Sequence, residues 1–409
     1  MKSVFNSIDL FAGCGGLMDG FERSPMFSTL ACVEWESEPC NTLRRRLKNK
    51  YCRSNANEIV VRFDIQRTDE LFYGFNDAEY GENVGLDKLI GDNKVDVIIG
   101  GPPCQAYSIA GRIRDEHGMR NDYRNYLFES YVRVVNHFQP HFFVFENVQG
   151  MLSAAPDGEP IIDKIRCAFN SIGYEIPNDL KKCVFDVADY GIPQHRKRVI
   201  IIGINTKIYN EWEQTAIFEL FYHTIRLQRC APKTVEETIG DLPPFYPLAA
   251  PRRHLGRNFS HSPLDCTIPN HIPRFHNLRD IDTFRLLAED IESRKFEYTS
   301  IEKIKELYTQ LTGKKSNIHK YYVLRRDEPS NTIPAHLYKD GMRHIHPDSK
   351  QARSITVREA ARLQTFDDDF VFTGSLGAQY KMIGNAVPPQ FAEILSKALS
   401  KVISVLYHE

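Results

Sequence analysis

The sequence predicts an α/β protein built on a doubly wound, mostly parallel sheet, with a smaller and less regular second domain. Over the first 205 residues, apolar runs rich in Val, Ile and Phe alternate with helical stretches. Near-continuous apolar strands separated by helices are typical of a parallel sheet covered on both faces. The alternation ends near residue 206, and Pro, His and Arg become frequent from about residue 240. The expected strands are residues 4–10, 29–33, 59–63, 95–99, 142–145 and 199–204.

The composition favours a folded cytoplasmic protein. A content of 42% hydrophobic and 11% aromatic residues excludes a disordered chain, which would lack enough apolar surface to bury. No stretch reaches the roughly 18 to 20 uncharged apolar residues of a membrane-spanning helix, and the N-terminus lacks the pattern of a signal peptide. Nine cysteines without a CxxC pair indicate reduced thiols and predict no metal site. We expect a monomer with no membrane partner.

A glycine-rich turn, DLFAGCGG at residues 9–16, follows the first expected strand. Glycines at the carboxyl end of a strand let the backbone approach a ligand closely. The second strand ends in Glu34 and Trp35, where a carboxylate can accept hydrogen bonds from a ribose and an indole can stack on a base. A tight turn and an ordinary strand end are the alternative. Because GCGG lacks the GxGxxG spacing of a pyrophosphate site, an adenosine cofactor such as S-adenosylmethionine fits better.

The motif GGPPCQ at residues 100–105 follows the strand expected at 95–99 and so lies at the same edge of the sheet. A cysteine held in a Pro-Pro turn at a strand end predicts a chemical role for Cys104. The alternative is a buried packing residue, which is the usual position of a free cysteine.

Two further motifs end or begin strands at this edge. Glu146, in ENV, has aromatic and apolar neighbours and can donate a proton, because burial disfavours the charged form of a carboxyl group. Its alternative is a helix cap. In QHRKR, alternation along a strand places Arg196 and Arg198 on one face and Lys197 on the other. Two guanidinium groups on one face predict a ligand with carboxylate, carbonyl or phosphate oxygens, and a solvated basic strand is the alternative.

Taken in order, these motifs resemble the DNA (cytosine-5)-methyltransferase family of bacterial restriction-modification systems. DLFAGCGG, VEW, GGPPCQ, ENV and QHRKR are followed by RSITVREAARLQTF at residues 353–366 and by IGNAVPP at residues 383–389. The resemblance covers about residues 4–205 and 329–395 and leaves a variable middle. It implies the class I, Rossmann-like methyltransferase fold, with a catalytic and cofactor-binding domain over residues 1–240 and 376–409 and a target-recognition domain over residues 241–375.

The resemblance implies methyl transfer to C5 of a cytosine that is flipped out of duplex DNA. Cys104 would attack C6, Glu146 would hold the exocyclic amine and protonate N3, and Arg198 would hold the O2 edge with Arg196 nearby. S-adenosylmethionine would be the donor and S-adenosylhomocysteine the product. The residues assigned to the cofactor are Asp9, Phe11, Gly13, Gly15, Gly16, Glu34, Trp35, Asp64, Ile65, Pro102 and Asn385.

Double-stranded DNA is the expected partner. The resemblance also implies a cognate restriction endonuclease encoded nearby, without physical contact between the two proteins. The net charge is only −1, so DNA must meet a local basic patch. Arginines with interspersed histidines in residues 241–350 suit such a surface, and so does a polar loop over residues 108–126. The candidate DNA-binding residues are Gln105, Ser108, Arg112, Arg124, Arg252, Arg253, Arg257, Arg274 and Arg279.

Three alternatives stay open. A transfer-RNA cytosine methyltransferase of the same fold would share every catalytic motif, although the long Arg-rich insert favours a duplex reader. A non-catalytic DNA-binding relative would be expected to lack Cys104 or Glu146, and both are present. A nicotinamide-dependent dehydrogenase is disfavoured because GxGxxG is missing.

Overall fold

The structure is a computed structural model that describes residues 4–103, 127–155, 158–315, 321–339 and 341–406. The chain forms two compact units. The first unit comprises Met1–Tyr190, Arg196–Cys230 and Ala386–Glu409, and the second comprises Gly191–His195 and Ala231–Asn385.

Strands and helices alternate through the first half of the chain. The strands are β1 (Phe5–Leu10), β2 (Phe27–Glu34), β3 (Val60–Arg62), β4 (Phe75–Asp77), β5 (Gly81–Asn83), β6 (Val97–Gly100), β7 (Phe142–Val148), β8 (Tyr174–Glu175), β9 (Val184–Asp186), β10 (Lys197–Asn205), β11 (Tyr246–His254) and β12 (Arg257–Ser262). The α-helices are α1 (Gly16–Glu22), α2 (Ser37–Lys50), α3 (Ala56–Ile59), α4 (Thr68–Tyr73), α5 (Leu86–Ile90), α6 (Leu127–Phe138), α7 (Ile161–Ser171), α8 (Glu211–Leu227), α9 (Val235–Ile239), α10 (Leu278–Glu292), α11 (Ile301–Thr312), α12 (Val357–Leu363), α13 (Leu376–Asn385) and α14 (Pro389–Leu406).

The first unit is organised around one mixed sheet in the order β3-β2-β1-β6-β7-β10-β8, with β9 paired to β10. The five strands from β3 to β7 run parallel, and β10 is antiparallel to β7. The central strands are buried on both faces, which explains their continuous apolar runs. All six expected strands are present, and the predicted doubly wound, mostly parallel sheet is confirmed.

The C-terminal helix α14 packs on α1, the helix that follows β1. Helical spacing after residue 390 predicts this helix. Two glycines one turn apart on α1 permit the close approach. A Cβ at Gly16 would lie 2.3 Å from the carbonyl oxygen of Val387, and a Cβ at Gly20 would lie 2.3 Å from the Cβ of Ala392. Glycine is therefore required on this face of α1 for packing.

The second unit combines the β11–β12 hairpin with helices α9 to α13. Its core packs α10 and α11 against residues 321–323 and Ile345. Helix α12 begins with a capping box in which Thr356 and Glu359 satisfy each other's backbone N–H groups. Within the described ranges, no helix is long and apolar enough to cross a membrane.

Candidate active site and nucleic-acid surface

The turn after β1 has the open backbone that the glycines predict. Phe11 and Gly13 both have φ of 55°, and Gly15 has φ of 93°. Among the described residues, a Cβ on Gly13 would meet no atom within 4 Å, whereas one on Gly15 would lie 2.5 Å from Leu43. The left-handed backbone favours glycine at position 13, and the described residues leave open space beside it.

Glu34, at the end of β2, holds this turn in place. One carboxylate oxygen, Oε2, accepts from the backbone N–H of Gly13 at 2.9 Å, and Oε1 accepts from those of Trp35 and Glu36, each at 2.9 Å. Burial raises the pKa of Glu34, and the bonds from Glu36 and Gly13 oppose that rise. A carboxylate has about four acceptor positions, and the described residues occupy three of them, so within the described part of the chain one position on Oε2 remains for a ligand.

The next two strand ends complete this edge of the sheet. Trp35 is 51% exposed although it is a large aromatic residue. Phe63 donates its backbone N–H to the carbonyl of Glu34 at 3.0 Å, which places the end of β3 beside the end of β2. Asp64 follows there, accepts from Gln66 N at 3.0 Å, and precedes the buried Ile65. The structure thus brings the predicted ribose and adenine residues to one edge.

Two residues assigned to the cofactor by resemblance also serve the protein interior. Asp9 is fully buried, its Oδ2 accepts from Met18 N at 3.2 Å, and burial raises its pKa well above the usual range. Gly16 lies in α1 against the backbone of Val387. The contacts of Asp9 and Gly16 explain a role in packing, and their cofactor role stays a prediction.

Glu146 and Arg198 form an ion pair where β7 and β10 lie side by side. The Nε of Arg198 lies 2.6 Å from Oε1 of Glu146, and the two side chains are only 13% and 12% exposed. The other carboxylate oxygen, Oε2, lies against Gly101, where a Cβ would be 2.6 Å away. Asn147 donates from Nδ2 to the carbonyl of Pro102 at 3.4 Å. The structure therefore links the GGPP turn directly to the ENV strand.

Sequence reasoning missed Gly101 and Asn147 as partners in this contact. The available signal was the double glycine at the end of β6, since a glycine at a strand end allows another group to approach the backbone.

Arg196 differs from Arg198 in its surroundings. Its side chain is buried, and Nη2 donates to the carbonyl of Ala386 at 3.0 Å. Burial lowers its pKa well below the usual range, the nearby Arg198 charge adds to the effect, and Glu146 opposes it. Lys197 is exposed, as the alternation predicts. Arg198 contacts Glu146 directly.

Several predicted site residues lie outside the described residues. They are Cys104, Gln105, Ser108, Arg112 and Arg124. Pro103 is the last described residue before this stretch. Asn385 is described: it is exposed, ends α13 and belongs to the second unit. Its cofactor role stays a prediction.

The five candidate arginines of the second unit fall into two groups. Arg252, Arg253 and Arg257 are exposed on the β11–β12 hairpin. Arg274 instead donates to the carbonyls of Leu337 and Tyr338, at 2.9 and 2.5 Å. Arg279 lies on α10 and pairs with the adjacent Asp280 at 2.9 Å.

The expectation that histidines add to a basic surface here is wrong for three of them. Burial lowers the pKa of His261 to about 4 and that of His276 to about 3, and it also lowers the pKa of His271. His261 Nε2 lies 2.9 Å from the carbonyl oxygen of Gln351, and His276 Nε2 accepts from Ser354 N at 3.2 Å. These imidazoles are neutral core groups. In the described part of the chain, no group of three or more His, Cys, Asp or Glu residues could hold a metal ion.

The mixed sheet and the side chains at its strand ends define a class I methyltransferase fold. The model of the C-5 cytosine-specific DNA methylase family matches residues 5–401. The chain therefore belongs to this family and is a methyltransferase.

Similar proteins agree with this assignment. The chain is 33% identical to the type II methyltransferase M.Bpa9945I of Bacillus paralicheniformis, over 97% of this chain and 99% of that protein. It is 31% identical to M.DdeI of Desulfomicrobium norvegicum, over 97% and 88%. A solved structure of a candidate DNA modification methyltransferase from an Escherichia coli prophage has a TM-score of 0.59 at 25% identity, over 98% and 99% of the two chains.

Proposed function

We propose that the protein transfers a methyl group to C5 of a flipped-out cytosine in a specific duplex DNA sequence, as the modification enzyme of a type II restriction-modification system. The observation that carries this proposal is the Glu146–Arg198 pair, which lies against Gly101. This pair supplies a carboxyl group and a guanidinium group, and Cys104 follows Gly101 by three residues in the sequence.

S-adenosylmethionine fits the edge formed by the ends of β1, β2 and β3. The free acceptor position on Glu34 Oε2 suits a ribose hydroxyl, and the exposed indole of Trp35 suits an adenine face. The open space beside Gly13 leaves room for the backbone to approach a ligand. When bound, this cofactor supplies an electrophilic methyl group.

C5 of cytosine is a poor nucleophile because the ring is conjugated. In the proposed mechanism the thiolate of Cys104 forms a bond to C6 as the C5–C6 double bond opens and the ring electrons shift to N3. N3 takes the proton of the Glu146 carboxyl group, which becomes a carboxylate, and C5 becomes an enamine carbon. Arg198 orients the side chain of Glu146, holds the carboxylate that forms and binds the O2 edge of the base. C5 would take the methyl group that S-adenosylmethionine supplies as it becomes S-adenosylhomocysteine. The C5 proton then passes to water, the proton on N3 returns to Glu146, and the C6–S bond breaks with its electron pair leaving on sulfur as the thiolate of Cys104.

Arg196 acts in this proposal as a positioning residue. Its guanidinium is buried and donates to Ala386, so it supports the strand that carries Arg198 and does not itself hold the base. The second unit would supply target recognition, within residues 241–375.

The test uses duplex DNA that carries 5-fluorocytosine in a methylated site. Fluorine cannot leave as a proton does, so a covalent adduct should accumulate with the unaltered protein and S-adenosylmethionine. Cys104→Ala should form none. Cys167→Ala, which changes an exposed cysteine on α7, serves as the matched control and should form the adduct normally. An adduct with Cys104→Ala would refute the assignment.

Duplex DNA and transfer RNA should be offered in parallel with a labelled methyl donor. Methyl transfer to RNA alone would refute the DNA proposal and support a transfer-RNA cytosine methyltransferase of the same fold.

A further inference from the structure

The β11–β12 hairpin carries an arm, residues 249–258, that is exposed along nearly its whole length. Nine of its ten residues are exposed, and His254 is partly buried. A two-residue turn joins the strands at Leu255 and Gly256, which both have positive φ, 46° and 77°. A two-stranded ribbon that is exposed along most of its length is only marginally stable by itself, so a bound partner would stabilise this arm.

The root of the arm is firmly anchored. Phe259, Ser260 and His261 are buried. Ser260 Oγ accepts from the backbone N–H of His276 at 3.0 Å, and His261 Nε2 lies 2.9 Å from the carbonyl oxygen of Gln351. The root fixes the start of the arm on β12, and the pairing of Arg252–His254 with Arg257–Phe259 sets the register of the arm.

The charge of the arm points to a polyanion. It carries Arg252, Arg253 and Arg257 and contains no Asp or Glu. The carboxylate of Asp265 lies 3.0 Å from His254 Nε2. Within the described ranges, none of the three guanidinium groups has a salt bridge or side-chain hydrogen bond, in contrast to Arg274 and Arg279. Free, closely spaced guanidinium groups are available for phosphates and bases.

The strand register separates these side chains by face. Arg253 is paired with Asn258, while Arg252 is paired with Phe259 and His254 with Arg257. Opposite residues of an antiparallel ladder share a face, and successive pairs alternate between faces. Arg253 and Asn258 therefore lie together on one face, and the other face includes the buried Phe259.

The turn residue Leu255 is unusual in two respects. It is 84% exposed, and its φ of 46° lies in the left-handed region that leucine rarely adopts. Exposure of a large apolar side chain and a strained backbone both oppose stability, and such strain persists mainly where a site uses it. An apolar contact with a partner would bury this side chain.

We propose that this arm enters the major groove of the substrate duplex, with Arg253 and Asn258 reading the edges of neighbouring base pairs and Leu255 making an apolar contact at the turn. The proposal rests on the DNA methyltransferase function proposed above. A two-stranded ribbon fits the major groove, where arginine pairs with guanine and asparagine with adenine through two hydrogen bonds each. Arg252 and Arg257, on the opposite face, contact phosphates.

The test is methylation of a randomised duplex library by the full-length protein, with methylated cytosines and their flanking sequence read out. Arg253→Lys keeps the charge but loses the paired geometry, so preference for guanine at one position should fall by about 5- to 150-fold. Asn258→Ala should relax an adenine position nearby by a similar factor. Arg252→Lys is the matched control and should retain the sequence preference, since lysine also contacts phosphate.

Measurements of DNA binding test the roles proposed for Arg257 and Leu255. Arg257→Ala should weaken binding to all sequences and reduce the slope of log affinity against log salt by about 1. Leu255→Asn introduces a residue that tolerates positive φ and removes the apolar side chain. It should weaken binding several-fold without changing that slope. Leu227→Asn, at a leucine that is 69% exposed on α8, is its control and should have no effect.

The outcomes distinguish this inference from the function on which it rests. An unaltered protein that methylates no duplex refutes the proposed function. An unaltered protein with a clear sequence preference that both Arg253→Lys and Asn258→Ala retain refutes the arm as the base reader, while the function stands. Loss of affinity for all sequences alike in those two variants would also refute base reading.

Discussion

Gly101 offers the sharpest test of the geometry around Glu146. Replacing Gly101 by alanine adds a Cβ at 2.6 Å from Glu146 Oε2, and the next neighbours, both in Glu146, lie at 3.5 and 3.7 Å. Real Cβ contacts begin near 3.0 to 3.4 Å, so the carboxylate has to move by about 0.4 to 0.8 Å. Because the group in the way is the end of a flexible side chain, the carboxylate moves and the backbone stays.

A displacement of this size should lower the rate of methyl transfer without lowering the stability of the fold. Misplacement of a reacting group by about 1 Å can cost about 10²-fold in rate, so we expect Gly101→Ala to lower kcat by about 10- to 100-fold. Its φ is not positive, and exchange of glycine for alanine at a compatible position raises stability by about 0.4–1 kcal/mol. The midpoint of thermal unfolding should therefore stay the same or rise slightly.

The assay combines single-turnover methyl transfer to duplex DNA, thermal unfolding and calorimetric binding of S-adenosylhomocysteine. Two further glycine-to-alanine variants serve as controls. Gly377→Ala meets only an ordinary contact of 3.5 Å with Tyr338, so it should leave methyl transfer and S-adenosylhomocysteine binding unchanged, and the midpoint of thermal unfolding should stay the same or rise slightly. Gly100→Ala places a Cβ 2.5 Å from the carbonyl of Leu10 and should destabilise the protein. Unaltered methyl transfer by Gly101→Ala, or a loss that parallels a lower unfolding temperature, would show that Glu146 does not occupy the position on which this reasoning depends.

Three further predictions concern the cofactor, the second unit and pH. Glu34→Ala should weaken S-adenosylhomocysteine binding by about 10- to 150-fold, as expected for loss of a charged hydrogen bond, and calorimetry should detect no NAD binding to the unaltered protein; tight NAD binding would overturn the cofactor proposal. Arg274→Ala should lower stability by about 1–3 kcal/mol, because it leaves two carbonyls without donors, while the salt dependence of DNA binding stays as it was; a smaller salt slope would instead make Arg274 a phosphate contact. Burial alone would raise the pKa of Glu359, but Arg353, 2.6 Å away, lowers it below the usual range, so the pair stabilises the fold above pH 4.5 and this contribution declines as the pH falls. Glu359→Gln should therefore cost about 3–5 kcal/mol near pH 7 in urea unfolding, and the deficit should shrink below about pH 4.5; a deficit independent of pH would contradict the ion pair.

The sheet was predictable because its strands have a simple physical signature. Strands buried on both faces are mostly apolar, and six mostly apolar runs were present in the sequence. The two-residue strand β8 and the three-residue strand β9 carry no comparable run, since pairing with the edge of β10 requires few residues. The sequence could identify the parallel core but not how its antiparallel edge is extended.

Residue type alone could not separate surface groups from core groups in the second unit. Arg253 and Arg274 belong to the same basic stretch, yet one is exposed on a hairpin and the other binds two carbonyls. Likewise, His276 looks basic in a sequence, whereas burial lowers its pKa to about 3. These differences depend on long-range contacts, such as that of Ser354 with His276, which no local pattern encodes.

The same distinction explains why chemistry is easier to predict than target sequence in this protein. Glu146 lies against Gly101 and 2.6 Å from Arg198, so the residues proposed to be catalytic depend on one another for their positions. Arg253 and Asn258 have no such dependence, because the hairpin register is set by the backbone and by buried residues at its root. Side chains on the arm can therefore change without disturbing the core that positions them. If the arm reads the bases as proposed, we expect a change of target sequence to require only new side chains on the arm, while Glu146 and its partners stay as they are.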